Sequence, residues 1–198
     1  TYVNLLDAGQ VGKMEIIKGP GGSLYGAGIG GVVLMTTPPV RRNSLQASVL
    51  SGSFGTRRFS AGGQLQGRKV NFNANASLQT SDGYRDQTAL DRKTFSADLN
   101  ILLSNSSSLT PFLFYTDLHY ETPGALTGAQ FRDDPSQARP SVTTPASHVP
   151  GAEEQKAAVN NKTLFTGINH VIDWNKKWNT SSGVYFSSTD FTNPTLRN

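Results

Sequence analysis

Between Val70 and Gln79 apolar and polar residues alternate without a break. Val70, Phe72, Ala74, Ala76 and Leu78 fall on one side; Asn71, Asn73, Asn75, Ser77 and Gln79 fall on the other. Successive side chains of a strand point to opposite faces, so a strict period of two specifies extended chain. The preceding run repeats the scheme, with Phe59, Ala61, Gly63 and Leu65 opposite Arg58, Ser60, Gly62, Gln64 and Gln66. A later run repeats it again, with Phe95, Ala97, Leu99 and Ile101 opposite Thr94, Ser96, Asp98 and Asn100. The polar side is almost wholly Asn, Ser, Gln and Thr. The Val70 run also has the 9–11 residue length of a strand crossing a bilayer at a tilt.

Further strands are expected over Leu45 to Ser51, Thr110 to Tyr120, Thr163 to Trp174 and Lys177 to Thr189. The last two alternate less cleanly, and the pattern assigns no faces to them. The connections sort by length. Residues 67–69, 105–108 and 175–176 read as short turns, while 81–91 and 121–161 are long. Short turns at one rim and long loops at the other is the arrangement of an outer-membrane barrel. Phe112, Phe114, Tyr115, Tyr120, Trp174 and Trp178 fall near strand ends, where they fit either interfacial belts or ordinary core positions.

Composition agrees with a sheet that is wet on one face. Apolar residues make up 36% of the 198 residues and charged ones 16%. Soluble domains run nearer half and a quarter, and here uncharged polar residues and glycine fill the difference. The net charge of +4 is spread thinly, with short basic pairs such as Arg41-Arg42, Arg57-Arg58 and Lys176-Lys177. No basic stripe points to a nucleic-acid partner. Without cysteine there is no disulfide framework and no thiolate metal site. No apolar run approaches the ~18 residues of a membrane helix, so any crossing has to be made by strands.

Residues 14–37, MEIIKGPGGSLYGAGIGGVVLMTT, join two short apolar runs through a glycine-dense passage. Gly26-x-Gly28-x-x-Gly31 matches the dinucleotide fingerprint in form. That fingerprint needs a helix at the glycines and an acid about 20 residues on. Instead β-branched Val32-Val33 follows and the run stops at Pro38-Pro39, with no carboxylate near Leu50 to Gly55. No Gly-Lys-Ser/Thr makes a P-loop. His119, His148 and His170 lack ligand spacing, and Asp133-Asp134 and Glu153-Glu154 read as solvated pairs. Nothing marks a nucleophile elbow or a Ca²⁺ loop. The expectation is a non-enzyme without cofactor or resident metal.

Residues 14–37 resemble the end of the plug domain in TonB-dependent outer-membrane receptors, where a strand, a KGP turn, an LYG and paired glycines precede an apolar strand. GSFGTRRFSAGGQLQG (52–67) looks like that family's first barrel hairpin. YETPGALTGAQFRDDPSQARP (120–140) looks like a loop of members that import ferric siderophores. Thr37-Pro38 departs from the family's usual Thr-Lys. The resemblance implies an all-β fold: the C-terminal part of a plug (1–40) followed by antiparallel strands of a transmembrane β-barrel (41–198), about seven of 22 strands. The 198 residues are therefore expected to be part of a longer protein.

The implied function is uptake of a ferric-siderophore complex across the bacterial outer membrane, energised through TonB. The implied partners are TonB, a siderophore or other chelate, and outer-membrane lipid. The alternatives are the same family with cobalamin, another metal chelate or a glycan as cargo, a non-energised porin or adhesin-type barrel, and a soluble carbohydrate-binding β-protein. Bulky anionic cargo favours Arg and aromatic contacts. On that logic the ligand candidates are Tyr2, Tyr84, Arg85, His119, Arg132 and Arg139. Glu15, Lys18, Gly19, Pro20, Tyr25, Gly26, Gly30 and Gly31 are the expected structural residues of the plug, with Lys18 paired to carboxylates of the barrel wall.

Overall fold

The computed structural model describes residues 5, 11–19, 30–37 and 39–193. Two antiparallel strands come first, β1 (Lys13–Lys18) and β2 (Gly31–Thr36), with Ile16 opposite Val33 and Lys18 opposite Gly31. Gly31 has φ +136°, and a Cβ there would lie 2.5 Å from the Ile17 carbonyl oxygen. Only glycine lets the two backbones approach this closely. A strand, not a helix, follows these glycines, which leaves the dinucleotide pattern without its required context.

Next come β3 (Ser44–Ser51), β4 (Arg57–Gln66), β5 (Val70–Ser81), β6 (Leu90–Ser104) and β7 (Ser107–Glu121). The long connection after β7 carries helix α1 (Gly128–Asp133) and a small hairpin, β8 (Val142–Thr144) with β9 (Ser147–Val149). β10 (Ala158–Asp173) and β11 (Asn179–Thr192) complete the chain. Strands β3 to β7, β10 and β11 form one seven-stranded antiparallel sheet in chain order. Short turns set the register of β4 with β5, β6 with β7 and β10 with β11, whereas β7 and β10 pair across the long 122–157 connection.

The alternation in the sequence becomes two faces. On β5, Asn73 and Ser77 are buried while Val70 and Leu78 are exposed. Pairing carries this parity across the sheet. Ala61, Ala76, Phe95, Tyr115 and Leu164 make one apolar row, and Leu65, Phe72, Leu99, Pro111, Ile168 and Val184 lie along another. A soluble two-layer core would bury this face; here Leu45, Phe59, Leu65, Leu78, Val184 and Phe186 are exposed. The buried apolar residues of the sheet and its loops are few: Leu118, Ala138, Ala152, Ala157, Ala158 and Val159. They gather where the long connection meets β7 and β10.

Residues 67–69, 105–106 and 174–178 turn the chain at one rim; 52–56, 82–89 and 122–157 turn it at the other. The strand ends near Trp174 differ from expectation. β10 stops at Asp173 and β11 starts at Asn179, because Asn175 Oδ1 accepts from the Lys177 and Trp178 amides and holds a turn there. The helix and hairpin inside 122–157 were expected as plain loop. Thr127 and Gln130 form a capping box that starts α1. The aromatics divide: Tyr115 takes the apolar face and Trp174 and Trp178 stand exposed at the short-turn rim, whereas Phe112, Phe114 and Tyr120 take the polar face.

Candidate functional site

The polar face is built in horizontal rows. Ser48, Ser60, Ser77, Thr94, Thr116, Thr163 and Thr189 are register partners on successive strands, so every strand of the sheet contributes a hydroxyl at one height. Ser48 and Ser60 lie 2.6 Å apart, Ser77 and Thr94 2.8 Å, and Thr163 and Thr189 3.0 Å. Toward the short-turn rim the row is amide and acid. Asn73 donates to Asp98 (2.9 Å), Asn75 donates to Asn73 (3.2 Å), and Asn100 donates to Thr110 (3.0 Å). Toward the long-loop rim Arg92 donates to Gln79 at 2.6 Å.

An aromatic patch interrupts this surface at β7, β10 and β11. Phe112 and Phe165 have ring centroids 5.2 Å apart, and Phe165 and Tyr185 5.9 Å, both tilted. Gly167 is paired with Phe112 and Tyr185 and makes the room. A Cβ there would lie 2.9 Å from the Phe112 ring and 2.8 Å from Tyr185 Cβ. Against the patch lies a cavity of ≈ 550 Å³. Phe112, Phe114, Phe165, Asp98 and Thr163 line it from the sheet; Leu5, Val11, Met35, Thr36 and Thr37 line it from the other side. The end of β2 therefore sits on the polar face.

The long-loop rim is organised by Arg85. Its guanidinium donates to the carbonyls of Gln137 (3.1 and 3.0 Å) and Gly124 (3.0 Å). Gln87 Nε2 donates to the Ala157 carbonyl and the Asp86 amide to the Ser136 carbonyl. Arg139 is folded inside the same loop, donating to the Pro150 carbonyl at 3.1 Å. Tyr84 meets Phe54 edge-to-face at 5.4 Å, joining the 52–56 turn to the 82–89 loop. The Phe54 carbonyl also accepts from the Asp82 amide and the Ser81 hydroxyl. Asp134 holds its pKa below the ordinary 3.8 because the Ser136 hydroxyl and amide both donate to it.

The structure thus brings Tyr84, Arg85 and Arg139 together at one rim, with the two arginines tied to loop carbonyls. Arg132 stands exposed in the last turn of α1. His119 lies apart: by register it shares the opposite face with Asp91, its Nδ1 2.7 Å from Asn160 Oδ1. Glu15 pairs with Lys13 at an exposed site, Lys18 is exposed, and Gly19 has φ +88°. Gly30 has open space around it. Tyr2, Pro20, Tyr25 and Gly26 lie outside the described residues. Gln87, Gln137 and the aromatic patch were not anticipated; a glycine in register with aromatics was the signal for the patch.

No protein-family model matches the sequence. Among solved structures the chain is similar to the ferric-catecholate import receptor Fiu of E. coli K12 in an open form. The TM-score is 0.68 at 16% identity, over 90% of this chain and 28% of that one. The chain spans less than a third of the length of the structure it matches. The likeness is one of fold: a two-stranded hairpin followed by an open run of antiparallel barrel strands, as in a piece of that receptor.

Proposed function

We propose that the chain is part of a TonB-dependent outer-membrane receptor that takes up ferric-siderophore complexes. The observation that carries this reading is the placement of β2 on the polar face of a single-layer sheet whose other face is apolar and uncovered. Such a sheet is stable with lipid outside and a hydrated filling inside. From Leu164 in the Tyr115 row of β10 to Trp174 just past the strand's end is about 25 Å of height, taking ~3.3 Å per residue and a tilt near 40°, the height of a barrel's apolar band. Charges begin one row above, at Lys93, Asp117, Lys162 and Asp190.

Residues 1–40 then belong to the plug and 41–198 to the wall, with the 52–56, 82–89 and 122–157 connections on the extracellular side. Tyr84, Arg85, Arg132 and Arg139 lie in those connections, where anionic chelates would arrive. A plug beside the wall is of no use to a passive pore, which favours an energised step through TonB. The test is growth of a strain lacking the full-length gene on a panel of iron chelates as sole iron source, with and without TonB. Loss of growth on one chelate, restored by the gene only when TonB is present, is expected. Growth unaffected on every chelate would overturn the reading.

A further inference from the structure

The polar face is hydroxyl, amide and acid over most of its area, yet Phe112, Phe114, Phe165 and Tyr185 form one contiguous apolar patch on it. A hydrated wall has no need of four aromatics, and an aromatic face left in water is unfavourable. What stands opposite is also apolar. Leu5 is 4% exposed, one of few buried apolar side chains in the described residues, and it lines the same cavity as Phe112, Phe114 and Phe165. Val11 and Met35 line it too. Elsewhere β1 and β2 leave their apolar residues open, with Met14, Ile16 and Val33 exposed. The apolar facing across the cavity is local, not the general burial of a hairpin.

We propose that this patch is an apolar latch: Phe112, Phe114 and Phe165 of the wall hold the plug through Leu5, Val11 and Met35. The inference rests on the plug-and-wall part of the reading above and not on the identity of any cargo. Hydroxyls and amides on both sides of a hydrated seam exchange with water at little net cost, so they hold a plug weakly. An apolar contact supplies the missing grip without fixing a hydrogen-bond register. The cavity of ≈ 550 Å³ left between the two sides keeps the contact below core packing density, as suits a seam that has to part. Gly167 belongs to the device, because its lack of a Cβ leaves room for the Phe112 ring beside β10.

The test uses the full-length receptor in outer membranes, with Ser96→Cys as a reporter, since Ser96 is half-buried and lines the seam. The cysteine is labelled with a membrane-impermeant maleimide, and heat-modified gel mobility reports whether the barrel is intact. Leu5→Ser and Phe165→Ser are each expected to raise the labelling rate at least about fivefold, while Phe186→Ser, on the opposite face, leaves it unchanged. Labelling at the parent rate in either seam variant, with an intact barrel, overturns the latch. Should Phe165→Ser fail to assemble, Leu5→Ser decides alone, because it alters nothing in the wall. Protection of the cysteine in the parent by an added apolar dye, 8-anilinonaphthalene sulfonate, would put a small molecule in the plug's place and also overturn it. Chelate-dependent growth of the same strains is scored separately, so a failed transport reading and a failed latch give different results.

Discussion

Ser77 and Thr94 meet hydroxyl to hydroxyl, 2.8 Å apart and closed off from solvent, at the middle of a row in which each of the seven strands supplies Ser or Thr. Small side chains at one height let the longer residues of the rows above and below close over them. The row therefore behaves as polar core within a wall that has almost no apolar core. Its next member breaks the pairing. Thr116 is fully buried, and its hydroxyl finds no partner among the described residues.

That difference predicts opposite effects of one substitution. Thr116→Val removes an unpaired buried hydroxyl at nearly constant volume and should stabilise the folded wall by about 1 kcal/mol. Thr94→Val breaks a made bond to the Ser77 hydroxyl, at a cost of about 0.5–1.5 kcal/mol. Urea unfolding of the full-length protein in lipid vesicles measures both. Equal signs for the two would show that the hydroxyls are interchangeable.

Arg85 donates to carbonyls at Gln137 and Gly124 and so fastens the 122–157 connection to the 82–89 loop. Arg85→Ala should make 122–157 cleave roughly tenfold faster under limited proteolysis, the scale set by losing charge-assisted bonds of about 1.5–3 kcal/mol. Lysine should rescue little, because its single ammonium lacks the fork that reaches two carbonyls. A variant that binds cargo worse while its loop resists protease as before would make Arg85 a direct ligand contact instead.

Asp134 gives a pH prediction of definite sign. Its folded pKa lies below 3.8, lowered first by the Ser136 hydroxyl and then by the Ser136 amide. Between the folded value and 3.8 the unfolded chain binds more protons than the folded one. The contribution of this turn is therefore fully present above pH 3.8 and is lost as pH falls through the folded pKa. The Ser136 amide resonance should move in that window, and Asp134→Asn should abolish the movement.

The wall was legible because alternation survives translation into structure. The Val70, Phe59 and Phe95 runs became β5, β4 and β6 with the faces their patterns give, since most pairs between β4 and β5 and between β5 and β6 join residues of like kind. β10 and β11 resisted a face assignment because Asn169 and His170, or Tyr185 and Phe186, put similar residues on opposite faces. The rim was harder still. Arg85 meets a carbonyl 52 positions away, and no local pattern announces such a contact. His119 shows the limit of reasoning from position alone: nearness to a strand end placed it with the ligand candidates, while parity turns it to the other face.

Gly167 is the position where sequence, packing and the proposed latch converge. It faces Phe112 on one strand and Tyr185 on the other, and an added Cβ would lie 2.5 Å from the Val184 carbonyl oxygen and 2.9 Å from the Phe112 ring. A glycine within a strand ordinarily weakens it, so its presence here needs the ring that covers it. Gly167→Val should displace Phe112 from the patch and cost about 1–3 kcal/mol through overpacking. Gly183, at the same face on β11, has only the Asn169 side chain as a close contact, which can rotate away. Gly183→Val should therefore be tolerated, and β-propensity favours it. Folding yield and urea midpoints of the two variants in lipid vesicles separate these outcomes. Equal loss at both positions would mean that the strand backbone, and not the aromatic cover, requires glycine.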